Sequence, residues 1–357
     1  MKIFQCQSCG QFVFFENTRC MLCGAILGYL PDVTTLSVLQ THDNVVWEPV
    51  TSQAASNQYR MCHNYVSQGV CNWMVPYEQD DIWCQSCRLN RTIPDLSQPN
   101  NKNLWFRLET AKRRMLYGIQ RLGLSVIGKQ QSPEHGLAFD FLASSNGLFR
   151  EDQTVFTGHL HGLITINITE ADDAEREKHR QDMDEPYRTL LGHFRHEIGH
   201  YFWQRLISEQ NRFEPFRQTF GDERQDYTQS MNQYYQHPPS ALWQNSYVSR
   251  YAASHPLEDW AETWAHYLHI IDTVETAAQF GIKVEPRAEN AVQLNSRPVL
   301  DPYQTNDFDE ILKHWLPLTY AVNSINRSMG QPDLYPFVLS PVVINKLRWI
   351  HWVIRQQ

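Results

Sequence analysis

The sequence lacks the features of several protein classes. Basic residues are not clustered, and 31 Lys and Arg stand against 39 Asp and Glu, for a formal net charge of −8. This balance disfavours nucleic acid and anionic membranes as partners, because both are bound through clustered Lys and Arg. No apolar run approaches the roughly 20 residues of a membrane span. The first residues lack the apolar segment and cleavage site of a secretory signal. We therefore expect a cytoplasmic protein with no nucleic-acid or membrane partner.

Cysteine is absent after position 87, and the eight cysteines fall into two sets. The first set has the spacing Cys-x2-Cys-x10-Cys-x2-Cys, and a glycine follows each Cys-x2-Cys pair. Two such knuckles are typical of a zinc ribbon, in which four thiolates bind one zinc ion tetrahedrally. Iron in a rubredoxin-like site and a pair of disulfides are the alternatives. The predicted ligands of this first structural zinc are Cys6, Cys9, Cys20 and Cys23.

The second set has the spacing Cys-x8-Cys-x12-Cys-x2-Cys, with a single knuckle. It predicts a second structural zinc, with His63 as an alternative ligand beside the first cysteine. The spacing leaves open whether the eight thiolates pair in sequence order or cross-braced. A segment this short cannot bury enough apolar surface to fold without metal. We therefore expect metal to stabilise it and a protein partner to dock on it. The predicted ligands are Cys62, Cys71, Cys84 and Cys87.

Composition divides the chain into three regions. Residues 1–92 hold every cysteine, and their clustering at metal-ligand spacing indicates an intracellular metal-binding module. Residues 93–103 are rich in Pro, Asn and Ser and predict a linker. Residues 104–357 have the pattern of a mixed globular domain. Periodicity and cap residues in that domain predict helices at 104–122, at 256–280 and after Ser340-Pro341, strands at 137–142 and 163–168, and a turn at 144–147.

One helical segment carries the pattern His-Glu-x-x-His, at His196–His200. Histidines four positions apart lie on the same helix face, so both imidazoles can reach one metal ion. A catalytic zinc takes three protein ligands and keeps a fourth position for water. Glu197 is placed to act as the general base towards that water. The alternative interpretation is a pair of core histidines without metal.

The third ligand is expected downstream of the motif. Trp203 and Leu206 stand where a metzincin needs Gly and His, which excludes that class. Glu258 and Glu262 lie four positions apart on a second predicted helix, and here the sequence resembles the gluzincins. That resemblance implies Glu258 as the third zinc ligand and Glu262 as the carboxylate that hydrogen-bonds a ligating histidine. Glu262 and Asp259 are the alternative ligands.

A closer resemblance extends over essentially the whole chain. The segments Tyr187–Tyr201, Glu258–His269 and Asn323–Gly330 resemble the bacterial family of zinc-binding metallopeptidases that carry an N-terminal zinc ribbon. The resemblance implies an α+β, zincin-like peptidase domain, mostly helical with a small mixed sheet, preceded by the cysteine-rich module. The resemblance names no substrate. Together, the two cysteine sets and the His-Glu-x-x-His helix predict two structural zinc ions and one catalytic zinc ion, with a peptide or protein as the substrate.

The residue that stabilises the oxyanion is less clearly marked. A peptidase needs a donor at the developing negative charge, and gluzincins often use a Tyr or His near the third ligand. Tyr251 is the predicted residue; the alternatives are Tyr247, His255 and His266. The predicted strand at 163–168 is expected to pair with an extended peptide as the substrate-binding edge. The alternative is that it serves as a core strand of the sheet.

Two other functions remain open beside peptide-bond hydrolysis. One is a catalytically silent zincin that serves as a zinc-stabilised protein-binding or regulatory module. The intact Glu197 favours activity over this alternative. The other is a metal-dependent hydrolase of a non-peptide amide. Endopeptidase and exopeptidase action are equally compatible with the sequence.

Overall fold

The computed structural model describes residues 1–54, 56, 58–143, 158–237, 239, 241–287 and 294–357. The turn predicted at 144–147 lies outside these residues. The chain divides into two compact units, Met1–Arg176 and Glu177–Gln357. Among the described residues, every helix is too short or too polar to cross a membrane.

The cysteine-rich part of the first unit is built from short antiparallel strands around small turns. One apolar cluster, which includes Trp47, Tyr59 and Met74, forms its core. The strands pair as β1 with β2, as a three-stranded sheet β3-β4-β5, and as β6 with β7. The elements are β1 (Phe4–Gln5), β2 (Phe12–Val13), β3 (Leu27–Leu30), β4 (Thr35–Gln40), β5 (Glu48–Pro49), β6 (Tyr59–Met61), α1 (His63–Gln68) and β7 (Met74–Pro76).

The first unit also contains a long helix and a mixed sheet. The helix α2 (Asn101–Arg121) begins inside the last three residues of the predicted linker. The sheet has the order β10-β11-β9-β8, in which only the pair β10 and β11 is antiparallel. Its strands are β8 (Asn90–Thr92), β9 (Ala138–Leu142), β10 (Gly158–Leu160) and β11 (Leu163–Asn167).

The expectation that the strand at 163–168 offers an open edge is wrong. β11 lies between β9 and β10, so both of its edges are already paired. A two-residue turn, His161 and Gly162, joins β10 to β11, and its φ angles are 47° and 82°. Two positive φ angles are typical of the tight turn that joins antiparallel strands.

The second unit is helical, which together with the small mixed sheet confirms the predicted mostly helical α+β class. The helices predicted around the His-Glu-x-x-His motif, at 256–280 and after Ser340 are all present. The Ser340 hydroxyl caps the last helix by accepting from the Val343 N–H at 3.2 Å. The helices from residue 173 onward are α3 (Asp173–Asp182), α4 (Leu190–Trp203), α5 (Phe213–Phe220), α6 (Tyr227–Gln236), α7 (Pro256–Gln279), α8 (Phe308–Ser328) and α9 (Pro341–Arg355).

Helices α4 and α7 pack closely at a glycine. A Cβ at Gly199 would lie 3.1 Å from the Cα of Ala261 and 3.2 Å from Cδ1 of Trp264. The Trp260 indole N–H donates to the Gly199 carbonyl at 2.8 Å. At a distance of 2.6 Å, the Arg195 guanidinium binds Asp272 on the facing helix. The glycine therefore allows the two helix axes to approach and brings their side chains to one place.

Candidate metal centres

Three side chains from α4 and α7 converge in the second unit. Nε2 of His196 lies 3.3 Å from Nε2 of His200. Oε2 of Glu258 lies 3.1 Å from Nε2 of His196, and Oε1 of Glu258 lies 3.5 Å from Nε2 of His200. One ligand atom from each residue falls within 4.8 Å of the others. The His-Glu-x-x-His helix and the start of α7 thus form one candidate metal centre.

The geometry and burial of this centre fit a zinc ion. Ligands about 2.1 Å from a tetrahedral ion are about 3.4 Å apart, close to the separations seen here. The Glu258 side chain is buried, at 1% exposure. Among the described residues, Oε2 of Glu258 and Oε2 of Glu197 have no hydrogen-bond partner. A buried carboxylate oxygen without a partner is costly, and a bound cation would remove that cost at Glu258.

Glu262 orients His196 through the ring nitrogen that faces away from the centre. Its Oε1 lies 2.6 Å from Nδ1 of His196, which leaves Nε2 to face the centre. Its Oε2 accepts from the Ser249 hydroxyl at 2.6 Å, and that hydroxyl accepts from the Ala252 N–H at 3.1 Å. Glu262 is thus engaged with His196 and Ser249. Sequence reasoning missed Ser249, because a serine 13 positions before Glu262 belongs to no motif.

Glu197 lies next to the centre on α4. Its Oε1 is 3.4 Å from Nε2 of His193, one turn earlier on the same helix. Burial alone would raise the pKa of Glu197, but the hydrogen bond with His193 and the charges of the neighbouring histidines hold that pKa below its ordinary value. The carboxylate is therefore ionised at neutral pH and can accept a proton.

Asp259, an alternative ligand in the sequence, is turned away from the histidines. It is fully buried, and its Oδ2 accepts from Nζ of Lys346 on α9 at 2.6 Å. Burial raises the pKa of Asp259 to about 7, although the charge of Lys346 acts in the opposite direction. The structure thus brings Glu258, and not Asp259, to the two histidines.

Two tyrosines lie at the centre, and only one was predicted. The ring centroid of Tyr251 is 5.9 Å from that of His196. The hydroxyl of Tyr227, on α6, donates to Oε1 of Glu258 at 2.9 Å. Burial and the charge of Glu258 raise the pKa of both tyrosines, so both hydroxyls stay protonated. Tyr227 lies 31 positions before Glu258 on a polar helix, and no spacing rule connects the two.

The other residues considered for the oxyanion have different contacts. Tyr247 lies under the Lys346 ammonium, 4.5 Å from its ring centroid. His255 caps α7 by accepting from the Leu257 N–H at 3.1 Å. Nδ1 of His266 lies 2.7 Å from the Tyr335 hydroxyl. Each of these contacts gives the side chain a structural role.

The eight cysteines form two groups of four in sequence order. Sγ atoms lie 3.6 Å apart in the pairs Cys6–Cys23 and Cys9–Cys20, and 3.7 Å apart in the pair Cys71–Cys84. Thiolates on one tetrahedral zinc are about 3.8 Å apart, whereas a disulfide joins two sulfurs at about 2.05 Å. The groups match the two predicted sites: Cys6, Cys9, Cys20 and Cys23; and Cys62, Cys71, Cys84 and Cys87.

The second cysteine group is the more buried of the two and is supported by neighbouring polar groups. All four of its cysteines are buried, and backbone N–H groups point at three of the sulfurs at 3.4 Å. The buried Arg113 of α2 donates to the Val70 carbonyl at 2.6 Å. Burial opposes its charge, but the adjacent thiols and Glu109 raise the pKa of Arg113. His63 packs instead against Trp83, with ring centroids 4.7 Å apart.

Two family models match the chain. A family model described as "Putative zinc-binding metallo-peptidase" matches residues 101–353, and one described as "zinc-ribbon domain" matches residues 3–98. Uncharacterized proteins of Mycobacterium bovis and Mycobacterium tuberculosis are 42% identical to the chain over 358 aligned residues. The alignments cover 99% of this chain and 95% of each relative. No solved structure matches the chain.

Proposed function

We propose that this chain, which belongs to the zinc-binding metallo-peptidase family and carries an N-terminal zinc ribbon, hydrolyses peptide bonds with Glu197 as the general base. The observation that carries the proposal is the convergence of His196, His200 and Glu258 beside a buried, ionised Glu197. A site that only binds a metal would not need the Glu197 carboxylate beside the three ligands. A peptide or a protein is the proposed substrate.

Zinc at this centre supplies a Lewis acid that polarises a carbonyl and lowers the pKa of water towards about 7. The protein supplies the proton transfers. Glu197 accepts a proton from the attacking water and passes it to the leaving nitrogen. Its second oxygen, Oε2, has no hydrogen-bond partner among the described residues and can receive that proton. Glu262 holds His196 in one tautomer throughout.

Tyr251 is the proposed donor to the oxyanion. Its hydroxyl is protonated, because burial and Glu258 raise its pKa well above the ordinary value. A preorganised neutral donor in a partly buried site stabilises developing negative charge without reorganising at the moment of reaction.

The full proposal includes three zinc ions per chain, one catalytic and two structural. The two cysteine groups would hold zinc to stabilise the module in residues 1–92, followed by the linker at 93–103 and the peptidase domain at 104–357. Eight free thiols favour a reducing compartment such as the cytoplasm. The ribbon exposes Met21 and Leu22 in its second knuckle, at 88% and 68% exposure, which suits a role in protein docking.

The direct test is cleavage of a peptide library by the zinc-loaded protein and by Glu197→Gln. The parent should cleave, and Glu197→Gln should lose at least about 100-fold in rate while keeping the same zinc content. A variant that cleaves as fast as the parent would refute the role of Glu197. Absence of cleavage by a parent that holds three zinc ions would instead favour the catalytically silent, protein-binding alternative.

A further inference from the structure

The two carboxylate oxygens of Glu258 have different environments. Oε1 accepts the hydrogen bond from the Tyr227 hydroxyl at 2.9 Å and lies 3.5 Å from Nε2 of His200. Oε2 lies 3.1 Å from Nε2 of His196 and has no hydrogen-bond partner among the residues that the structure describes. One oxygen is thus engaged by a neutral donor, and the other is buried and free for a cation.

A single histidine fixes the phenol and the carboxylate relative to each other. Nδ1 of His255 accepts from the Leu257 N–H at 3.1 Å and so starts the helix that carries Glu258. Because Nδ1 accepts, the proton of a neutral ring is on Nε2, which lies 3.2 Å from the Gln225 carbonyl at the entry to α6. The rings of His255 and Tyr227 also meet edge to face, with centroids 5.2 Å apart.

The rest of α6 makes one edge-to-face aromatic contact, between Tyr234 and Tyr251, whose ring centroids are 5.9 Å apart. None of its ten residues is buried, so the helix lacks an apolar face that would dock it. The cap formed by Asp226, whose Oδ1 accepts from the Gln229 N–H at 2.8 Å, only starts the helix. The contacts of its first turn with His255 and Glu258 therefore set the position of the Tyr227 hydroxyl.

We propose that Tyr227 holds Glu258 as a one-oxygen metal ligand. A carboxylate with two free oxygens can bind a cation through both, and the second oxygen would then occupy space that water and substrate need. The hydrogen bond from Tyr227 keeps Oε1 off the ion and leaves Oε2 as the ligand atom. Tyr227 is therefore a positioning residue that keeps the fourth coordination site open. The inference rests on the metal centre of the proposed function.

The test compares Tyr227→Phe with Tyr235→Phe in protein whose zinc at this centre is exchanged for cobalt. Tyr235→Phe makes the same chemical change on the same helix, at a side chain that is 64% exposed. Four-coordinate cobalt absorbs visible light more strongly than five-coordinate cobalt. Subtracting the spectrum of a His196→Ala, His200→Ala double variant, which keeps all eight cysteines, isolates the centre from any cobalt bound by thiols.

Tyr227→Phe should weaken the visible bands, because Glu258 becomes a two-oxygen ligand and raises the coordination number. Its kcat should fall by about 10–100-fold, the range seen when groups that orient metal ligands are changed, with a smaller change in KM. Tyr235→Phe should match the parent in its spectrum. A crystal structure of the zinc-loaded parent should show only Oε2 of Glu258 on the ion.

Three outcomes would overturn the inference. Cobalt spectra of parent and Tyr227→Phe that coincide would show that the phenol does not set the coordination number. A crystal structure of the zinc-loaded parent in which both Glu258 oxygens contact the zinc would also show that Tyr227 does not keep Oε1 off the ion. Failure of the parent to bind cobalt at His196 and His200 would overturn the proposed function as well. The first two outcomes overturn only the role of Tyr227, so the failure of the inference can be told from the failure of the proposed function.

Discussion

The substitution Gly199→Ala tests whether the close approach of α4 and α7 holds the proposed metal ligands together. The added Cβ would lie 3.1 Å from the Cα of Ala261 and 3.2 Å from Cδ1 of Trp264, so its neighbours must shift by a few tenths of an ångström. The first neighbour is backbone and Trp264 is fully buried, so the helices themselves must separate. Overpacking costs about 1–3 kcal/mol, and alanine in a helix returns about 1 kcal/mol relative to glycine. The expected net loss in stability is about 0–2 kcal/mol.

The effect on metal binding should exceed the effect on stability. Separation of the helices moves Glu258 away from two histidines on α4, whose present distances to it are 3.1 and 3.5 Å. We expect about 10–100-fold weaker zinc binding at this centre, measured by competition with a chelator, while both cysteine groups keep their metal.

The matched control is Gly192→Ala on the same helix. There the nearest atom to the new Cβ is the Thr189 hydroxyl oxygen at 3.0 Å, which belongs to a side chain that can rotate. This variant should lose some capping energy but bind zinc like the parent. If Gly199→Ala also kept the zinc affinity of the parent, the inferred link between helix spacing and the ligand set would be refuted.

Three further predictions concern other groups. His200→Ala should lose both turnover and one zinc per chain by elemental analysis, in contrast to Glu197→Gln, which should keep the metal; equal zinc in parent and His200→Ala would contradict the ligand assignment. Thiol titration of the native protein should find no fast-reacting cysteine, and a chelator should release all eight; disulfides in fresh protein would refute the two cysteine–zinc sites. Burial and Arg355 lower the pKa of His351 to about 4, below its unfolded value of about 6.5. The unfolded chain therefore binds a proton at His351 that the folded state does not. The contribution of neutral His351 to the free energy of unfolding is fully present above about pH 6.5, and the free energy of unfolding falls by up to about 3 kcal/mol towards pH 4. The free energies of unfolding of parent and His351→Gln, taken from denaturation curves, should therefore diverge between about pH 6.5 and pH 4. Parallel pH dependences would contradict the assigned role of His351.

Local patterns account for the parts of the structure that the sequence predicts well. The spacing of His196 and His200 follows from the helical repeat, and Ser340 marks a helix start because its hydroxyl can cap a free N–H group. The Cys-x2-Cys knuckles likewise depend on residues a few positions apart. In each case the physical cause acts within one or two turns of backbone, so the sequence alone was sufficient.

Contacts between distant positions account for what the sequence does not predict. The antiparallel partner of β11 was missed because strand pairing depends on backbone from another segment, here Gly158–Leu160. The burial of α2 against the second cysteine group, through Arg113 and the Val70 carbonyl, spans 43 positions. A helix predicted from its own periodicity carries no information about which module covers its buried face.

The choice of the third ligand shows how such a contact resolves an ambiguity that local pattern leaves open. Glu258 and Asp259 are adjacent acids at the start of α7, and sequence spacing allows either one to reach the histidines. Lys346 lies 87 positions after Asp259, and its ammonium binds the Asp259 carboxylate at 2.6 Å inside the protein. A buried carboxylate with a cationic partner is satisfied, whereas Oε2 of Glu258 has no hydrogen-bond partner among the described residues. The ion pair with Lys346 therefore occupies Asp259 and leaves Glu258, the preceding residue, as the acid that is proposed to bind the metal.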